Sequence, residues 1–516
     1  MGVNMLASFN WLDYTVLSAY ILFVLGIATF FVKEQHNLTD FFMASRTMPW
    51  WAVGCSILAT LLSAISITGV PAEFWQNGLR TFGAFAIMLA VVPLAIFLFI
   101  KTFSGLQLVT AYEYLEKRFS LTIRLVGSVL FMLYRGCYIG IVMYASAVVV
   151  KPAFGGEIDE FWLIIAIGLF SLTFAVLGGM KAIIWTDVIQ LFVIYGGMAW
   201  MLVSMVINTD GGFGDMWQVA VDHGKDFSYL SESGFWSFSL FEQTTFWGVL
   251  LMYIFIELAG QGTDQLTVQR YLTTRSAKAS ANSLWTYALT AIPVITLLWL
   301  ISIAMFAFFK QNPDALDESI KPDGLLPYYI ATQVPHGVSG LFIAAILAAV
   351  ISTVDSGMNC LATAAMTDFH LRFTKTTWTD EKKVKWARLW TIFWGVATTI
   401  LSLIIYQTAR ENIARTVSSV IGTFSGPLLG IFLLGVLSRR ANTAGVGLGA
   451  VIGLMLTLWV NYGWTITGPD GEQVHISFAW PVVIGSVSTC VIGYAASLFF
   501  KPPSEDKLKN LTCWTR

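Results

Sequence analysis

The chain has 516 residues, 56% hydrophobic and only 12% charged, whereas ordinary soluble domains are roughly a quarter charged. With a mean hydropathy of +0.70, it is no soluble globule but a protein that crosses a lipid bilayer many times. A formal net charge of −1, with no Lys/Arg run long enough to follow a phosphate backbone, excludes a nucleic-acid partner.

Apolar runs of about 20 residues predict an all-α polytopic protein with roughly thirteen crossings. They fall near 10 to 32, 50 to 77, 81 to 103, 122 to 150, 160 to 178, 184 to 207, 245 to 266, 282 to 309, 337 to 366, 386 to 407, 414 to 437, 442 to 463 and 477 to 500. The first run is too long for a signal-peptide core and lacks a basic leader, so it reads as a retained helix. With the amino terminus outside, 22 Lys and Arg fall on the inner side and 7 on the outer, leaving Arg135 inside the membrane. The positive-inside rule thus selects amino terminus out and carboxyl terminus in, at the plasma (inner) membrane.

Two crossings look broken. Between Trp50 and Asn77, Ser63, Ser66, Thr68, Gly69 and Pro71 sit at mid-depth or just beyond it. Between Thr245 and Gln269, Glu257, Gly260, Gln261, Gly262, Thr263 and Asp264 occupy the corresponding place. About five crossings separate them, and an odd interval forces two successive five-helix units into opposite membrane orientations, each opening on a discontinuous helix. Freed carbonyls and half-helix ends at such breaks bind ions and polar solutes; a Gly/Pro kink rescued by neighbouring helices is the plainer alternative.

The outer segment from Asn208 to Thr244 is acidic and aromatic, and reads either as a lid or, more simply, as a solvated loop with Trp and Phe at the interface. The run Leu341 to Phe369 is long enough to span a bilayer yet carries Ser352, Thr353, Asp355 and Ser356 at its middle. Unpaired hydroxyls and carboxylates are costly in hydrocarbon, so these side chains face protein, a wet cavity or an ion. Hydroxyls that only pack helices would explain two Ser and a Thr; the added carboxylate favours an ionic site. Gly445, Gly449 and Gly453, four residues apart, make a small-residue face for close packing. The five Cys form no CxxC or Cys/His cluster. The five His are dispersed, with no HExxH or GxSxG, so no enzyme is expected.

Six stretches together resemble the sodium:solute symporter family: TDFFMASRTMPWWAVG (39 to 54), VTAYEYLEKRF (109 to 119), LGGMKAIIWTDVIQ (177 to 190), VQRYLTTRSAKAS (268 to 280), GLFIAAILAAVISTVDSGMNCLAT (340 to 363) and SGPLLGIFLLGVLSRRAN (425 to 442). The resemblance covers nearly the whole chain and is nearest the monocarboxylate, multivitamin and iodide branch and the bacterial sialic acid symporters. It implies a LeuT-like fold, with an extra helix and loop (1–49), a first inverted repeat (50–208), an extracellular loop (209–244), a second repeat (245–440), two further helices (441–500) and a tail (501–516).

It also implies a sodium-coupled symporter of a small organic solute, an organic anion first and a neutral sugar as the alternative, with an ion channel more remote. Its partners are Na+, the solute and the bilayer, with no obligatory protein partner. By family position, the main sodium site comprises the carbonyls of Ala59, Leu62 and Ala349 with the hydroxyls of Ser352 and Thr353, the latter pair already singled out by their chemistry. A second sodium site maps to Asp187, Ser352, Asp355 and Ser356. Asp355 replaces a serine of the pattern, and either strengthens a cation site or is neutralised by a proton or a basic neighbour. The family cavity maps to Leu61, Ser63, Ser66, Phe82, Phe85, Tyr138, Glu257, Gln261 and Thr423, with Arg135 beside them. Arg135 needs an anionic partner, either the solute or an internal acid such as Glu257.

Overall fold

The computed structural model describes residues 10–154, 156, 158–207, 209, 211–317, 320–334, 338–374, 378–408, 413–467 and 473–515. Helices dominate it, because a chain in hydrocarbon must satisfy its backbone amides internally. In chain order they are α1 (Trp11–Phe30), α2 (Trp50–Leu61), α3 (Ala64–Asn77), α4 (Phe82–Leu106), α5 (Leu121–Val150), α6 (Glu160–Ile207) and α7 (Phe246–Gly262). Then come α8 (Gln265–Tyr271), α9 (Ala277–Gln311), α10 (Val338–Ala364), α11 (Asp380–Thr408), α12 (Ile413–Leu437), α13 (Thr443–Leu458) and α14 (Trp480–Leu498).

Among the described residues, ten spans are long and apolar enough to cross a bilayer alone, and the pairs α2–α3 and α7–α8 add two. The 48 residues of α6 would extend about 72 Å, some twice a hydrocarbon core. Its backbone breaks at Gly179, where φ is +58° and ψ −174°, a conformation that only glycine adopts without strain. Counting α6 as two crossings gives the thirteen expected.

The two bent pairs turn by 61° and 53°. The first break is narrower than the sequence suggests: only Leu62 and Ser63 leave the helix, while Thr68, Gly69 and Pro71 lie inside α3. Ser63 caps α3 by accepting the Ser66 amide at 3.4 Å, and Asp264 caps α8 by accepting that of Leu266 at 3.0 Å. Capping is why each chain can restart a helix at mid-depth.

The core is built around α10. Of its most apolar window 89% is buried, against 22% for α1 and α11, and α1, α2, α5, α6 and α11 pack on it. At the carboxyl end, Gly449 lets α13 close onto α14; a Cβ there would lie 2.6 Å from Gly493 Cα and 2.7 Å from the Thr489 carbonyl. The glycine face is thus used within the chain. The segment after α6 is anchored rather than loose. Glu232 pairs with Arg80, the Lys225 ammonium donates to the Gln76 carbonyl at 2.7 Å, and Phe227 meets Phe82 with ring centroids 6.3 Å apart.

Candidate cation and solute sites

Because α2 stops at Leu61, its last carbonyls lack intrahelical partners. The Leu58 carbonyl is taken by the Leu62 amide at 2.9 Å, but the next ones point toward α10. There the Thr353 hydroxyl lies 2.9 Å from the Thr60 carbonyl, 2.9 Å from that of Ala349 and 3.4 Å from that of Leu62. One hydroxyl proton serves only one of the three. The carbonyls of Thr60 and Leu62 thus lie beside a wholly enclosed hydroxyl, and a hard cation is a ligand such oxygens suit.

One turn away, the Asp187 carboxylate of α6 gathers four donors. Ser352 donates to Oδ1 at 2.6 Å; Ser56, Thr60 and Arg270 donate to Oδ2 at 2.5, 3.2 and 3.1 Å. Arg270, on α8 and fully buried, also gives Nε to Ser56 Oγ at 2.8 Å, Nη1 to the Leu266 carbonyl at 2.9 Å, and Nη2 to Ser356. Asp355 accepts the Ser356 hydroxyl at 3.1 Å. All four residues of the expected second cation set therefore meet here, together with Ser56, Thr60 and Arg270. Of the main set, Leu62, Ala349 and Thr353 converge and Ala59 is buried on α2, while Ser352 turns to Asp187 and the Thr60 carbonyl approaches Thr353.

A cavity of about 280 Å³ lies beside the α2–α3 break, lined by Leu61, Leu62, Ser66, Val70 and by residues of α5, α7 and α9. Leu61, Ser66, Arg135, Tyr138, Glu257 and Gln261 all face it. Three other expected residues do not line it. Ser63 is spent on its cap, Phe82 packs on Trp299 at 5.6 Å, and Thr423 accepts from Asn461 at 2.9 Å. The side chain of Phe85 lies outside the described residues. Arg135 is ion-paired to Asp264, the α8 cap, rather than to Glu257, and sits 4.9 and 5.0 Å from the Tyr134 and Tyr138 ring centroids. Glu257 accepts from Gln261 Nε2 at 3.1 Å and from the Tyr287 hydroxyl at 3.2 Å.

The model of the sodium:solute symporter family matches residues 41–454. The chain belongs to that family. As a sodium:solute symporter it is a transporter and not an enzyme. It is 30% identical to the sodium/sialic acid symporter NanT of Aliivibrio fischeri, over 96% of this chain and 94% of that one. It superposes with a TM-score of 0.88 and 29% identity on a substrate-bound, outward-open Na+-coupled sialic acid symporter whose structure reveals a novel Na+ site, covering 96% of this chain and all of that one. Mhp1, a nucleobase-cation-symport-1 transporter in a closed conformation, matches at 0.55 and 13% identity over 92% and 98% of the two chains, and shares the LeuT-like fold alone.

For this symporter the sequence pointed to the α10 hydroxyls and to both breaks, but not to Arg270, Ser56 or the Arg135–Asp264 pair. Arg270 lies near the end of a short helix and counts, by sequence position, as an inner-side cation. It also stands beside Arg135 as a second arginine within the spans. The spacing of Ser56 and Thr60 by one helical turn, on a helix already known to break, was the one signal available for the extra donors.

Proposed function

We propose that sodium binds at the α2–α3 break, through carbonyls of Leu62, Ala349 and the Ala59–Thr60 end of α2 with the hydroxyls of Thr353 and Ser352. Its inward movement drives uptake of a small organic acid through the adjoining cavity. The observation that carries this reading is the excess of acceptors around the Thr353 hydroxyl. A cation there ties both halves of the broken helix to α10 and steadies the wall of the cavity that Leu61, Leu62 and Ser66 supply. Sodium and solute then raise each other's affinity by the same factor. The membrane potential contributes ~2.3 kcal/mol per charge per 100 mV.

The organic-acid class is supported by the sialic acid relatives and by Arg135 in the cavity wall. A neutral sugar is the second reading, favoured by the hydrogen-bonding and stacking surfaces of Glu257, Gln261 and Tyr138. A second cation at Asp187, Ser352, Asp355 and Ser356 is supported by Asp355, whose one recorded donor is Ser356; Arg270 already supplies a positive charge to Asp187. We further read the chain as multi-pass in the plasma (inner) membrane, amino terminus outside and carboxyl terminus inside, with repeats over 50–208 and 245–440. The cavity then faces outward. The deciding experiment is uptake into proteoliposomes under an imposed sodium gradient, with wild type and Thr353→Ala. Undiminished sodium-driven uptake by the variant overturns the site.

A further inference from the structure

We infer that the solute carries a cationic nitrogen as well as its carboxylate, an inference that rests on the symport reading above. The charged residues lining the cavity are Arg135, Asp264 and Glu257, one positive and two negative. Arg135 is already met by Asp264, while Glu257 accepts from the neutral donors Gln261 and Tyr287. With one sodium at the α2–α3 break, and the second proposed cation offsetting Asp355 where Arg270 already meets Asp187, walls and ions sum to zero, and a zwitterion keeps that balance. A simple anion leaves one negative charge uncompensated beside walls in which Arg135, Asp264 and Gln261 are buried, which is costly.

The unpartnered atoms point the same way at each end. The Gln261 amide gives its NH2 to Glu257, which fixes its orientation and leaves Oε1 buried without a partner. That end offers the Glu257 carboxylate and Gln261 Oε1, both acceptors, and suits a group with several N–H donors. Tyr253 stands close to Glu257 and lines the same wall, and aromatic faces attract cations. At the other end Arg135 Nε is buried with no partner, so a donor remains for a solute acceptor while Asp264 holds Nη2. Glu257 and Asp264 are seven residues apart along α7 and its break, about 10 Å of helix axis. The carboxylate therefore faces Arg135 and the ammonium or guanidinium faces Glu257, several bonds away.

The test is a matched six-carbon series on the purified full chain: 6-aminohexanoate, hexanoate and hexylamine, with N-acetylneuraminate alongside. Thermal stabilisation is read in sodium and in potassium. In sodium, 6-aminohexanoate should bind at least tenfold more tightly than hexanoate or hexylamine, and Glu257→Gln should bring the preference over hexanoate close to one. Glu257→Asp, which keeps the charge, should retain it. Equal or tighter binding of hexanoate or N-acetylneuraminate by wild type overturns the zwitterion and leaves sodium-coupled organic-acid transport standing. A preference unchanged in Glu257→Gln also overturns it, as does a lack of stabilisation by 6-aminohexanoate. Where sodium stabilises nothing and drives no uptake of any of the four, the symport reading falls as well.

Discussion

Thr353 illustrates how one side chain can complete a site made mostly of backbone. Its hydroxyl faces three carbonyls, two of them from the end of a helix that stops at mid-depth. For the proposed sodium site, losing that oxygen removes one ligand and leaves a buried acceptor unmet, a cost of about 1–3 kcal/mol. Thr353→Ala is therefore expected to raise the half-saturating sodium concentration roughly tenfold to a hundredfold, and Thr353→Ser to keep it near the wild-type value; sodium titration of uptake decides. Arg270 behaves differently, since it holds the Asp187 cluster together from within. Breaking a buried pair costs about 3–5 kcal/mol because the survivor is left charged. Arg270→Gln should markedly lower the thermal midpoint of the purified protein, and the double variant with Asp187→Asn should recover part of the loss. A single-variant midpoint equal to wild type would show that the cluster is not held by its charge pair.

At the scale of elements, close approach depends on residues too small to show any chemistry. Where Gly449 meets α14, any side chain would overlap backbone atoms. Overpacking of this kind costs about 1–3 kcal/mol or more. Gly449→Leu is expected to lower the melting temperature, whereas Gly26→Leu on α1, with nothing within 4 Å of its Cβ position, should leave it unchanged. Differential scanning fluorimetry of the two variants separates a packed glycine from a free one. The glycine spacing was legible as a close-packing face; that its partner is α14 was decided by the packing of the two helices in the folded chain.

Across the whole molecule, a buried ionic cluster lies apart from the cavity, about 17 Å along α5 from Arg135. Near the start of α5, Arg124 donates to Asp368 at 2.6 Å and to Glu116 at 2.7 Å. Thr110 and Ser128 close on Asp368 at 2.7 and 2.6 Å, and Arg372 reaches Glu116 at 2.5 Å. These bonds join the short helix Tyr112–Arg118, α5 and the segment that follows α10, on the inner side in the proposed topology. Removing them shifts the balance of states toward one open on that side. In a cysteine-depleted background carrying Ser66→Cys, Arg124→Ala should slow labelling by an external membrane-impermeant thiol reagent severalfold; an unchanged rate would show that the cluster has no part in closure.

How much could be read beforehand differs by residue. Ser352 and Thr353 stood out because polar atoms in an apolar span are expensive wherever they point, and both breaks announced themselves through Gly and polar residues in runs that should be apolar. Carbonyls carry no such signal, so the approach of the Thr60 carbonyl to Thr353 needed the path of the backbone. Arg135 demanded an acid, yet the choice of Asp264 over Glu257 depended on where α7 bends. Arg270 was misread because a basic residue near a span's end normally faces water, and only the turn into α8 carries it inside.

Composition and periodicity by themselves determined a helical membrane protein with roughly thirteen crossings, two of them broken, since apolar runs of about 20 residues satisfy their own amides in hydrocarbon as helices. Tertiary structure alone decided which charges meet. Pairing in a buried interior is set by angstrom-scale distances between helices far apart in the chain, and no local pattern encodes them.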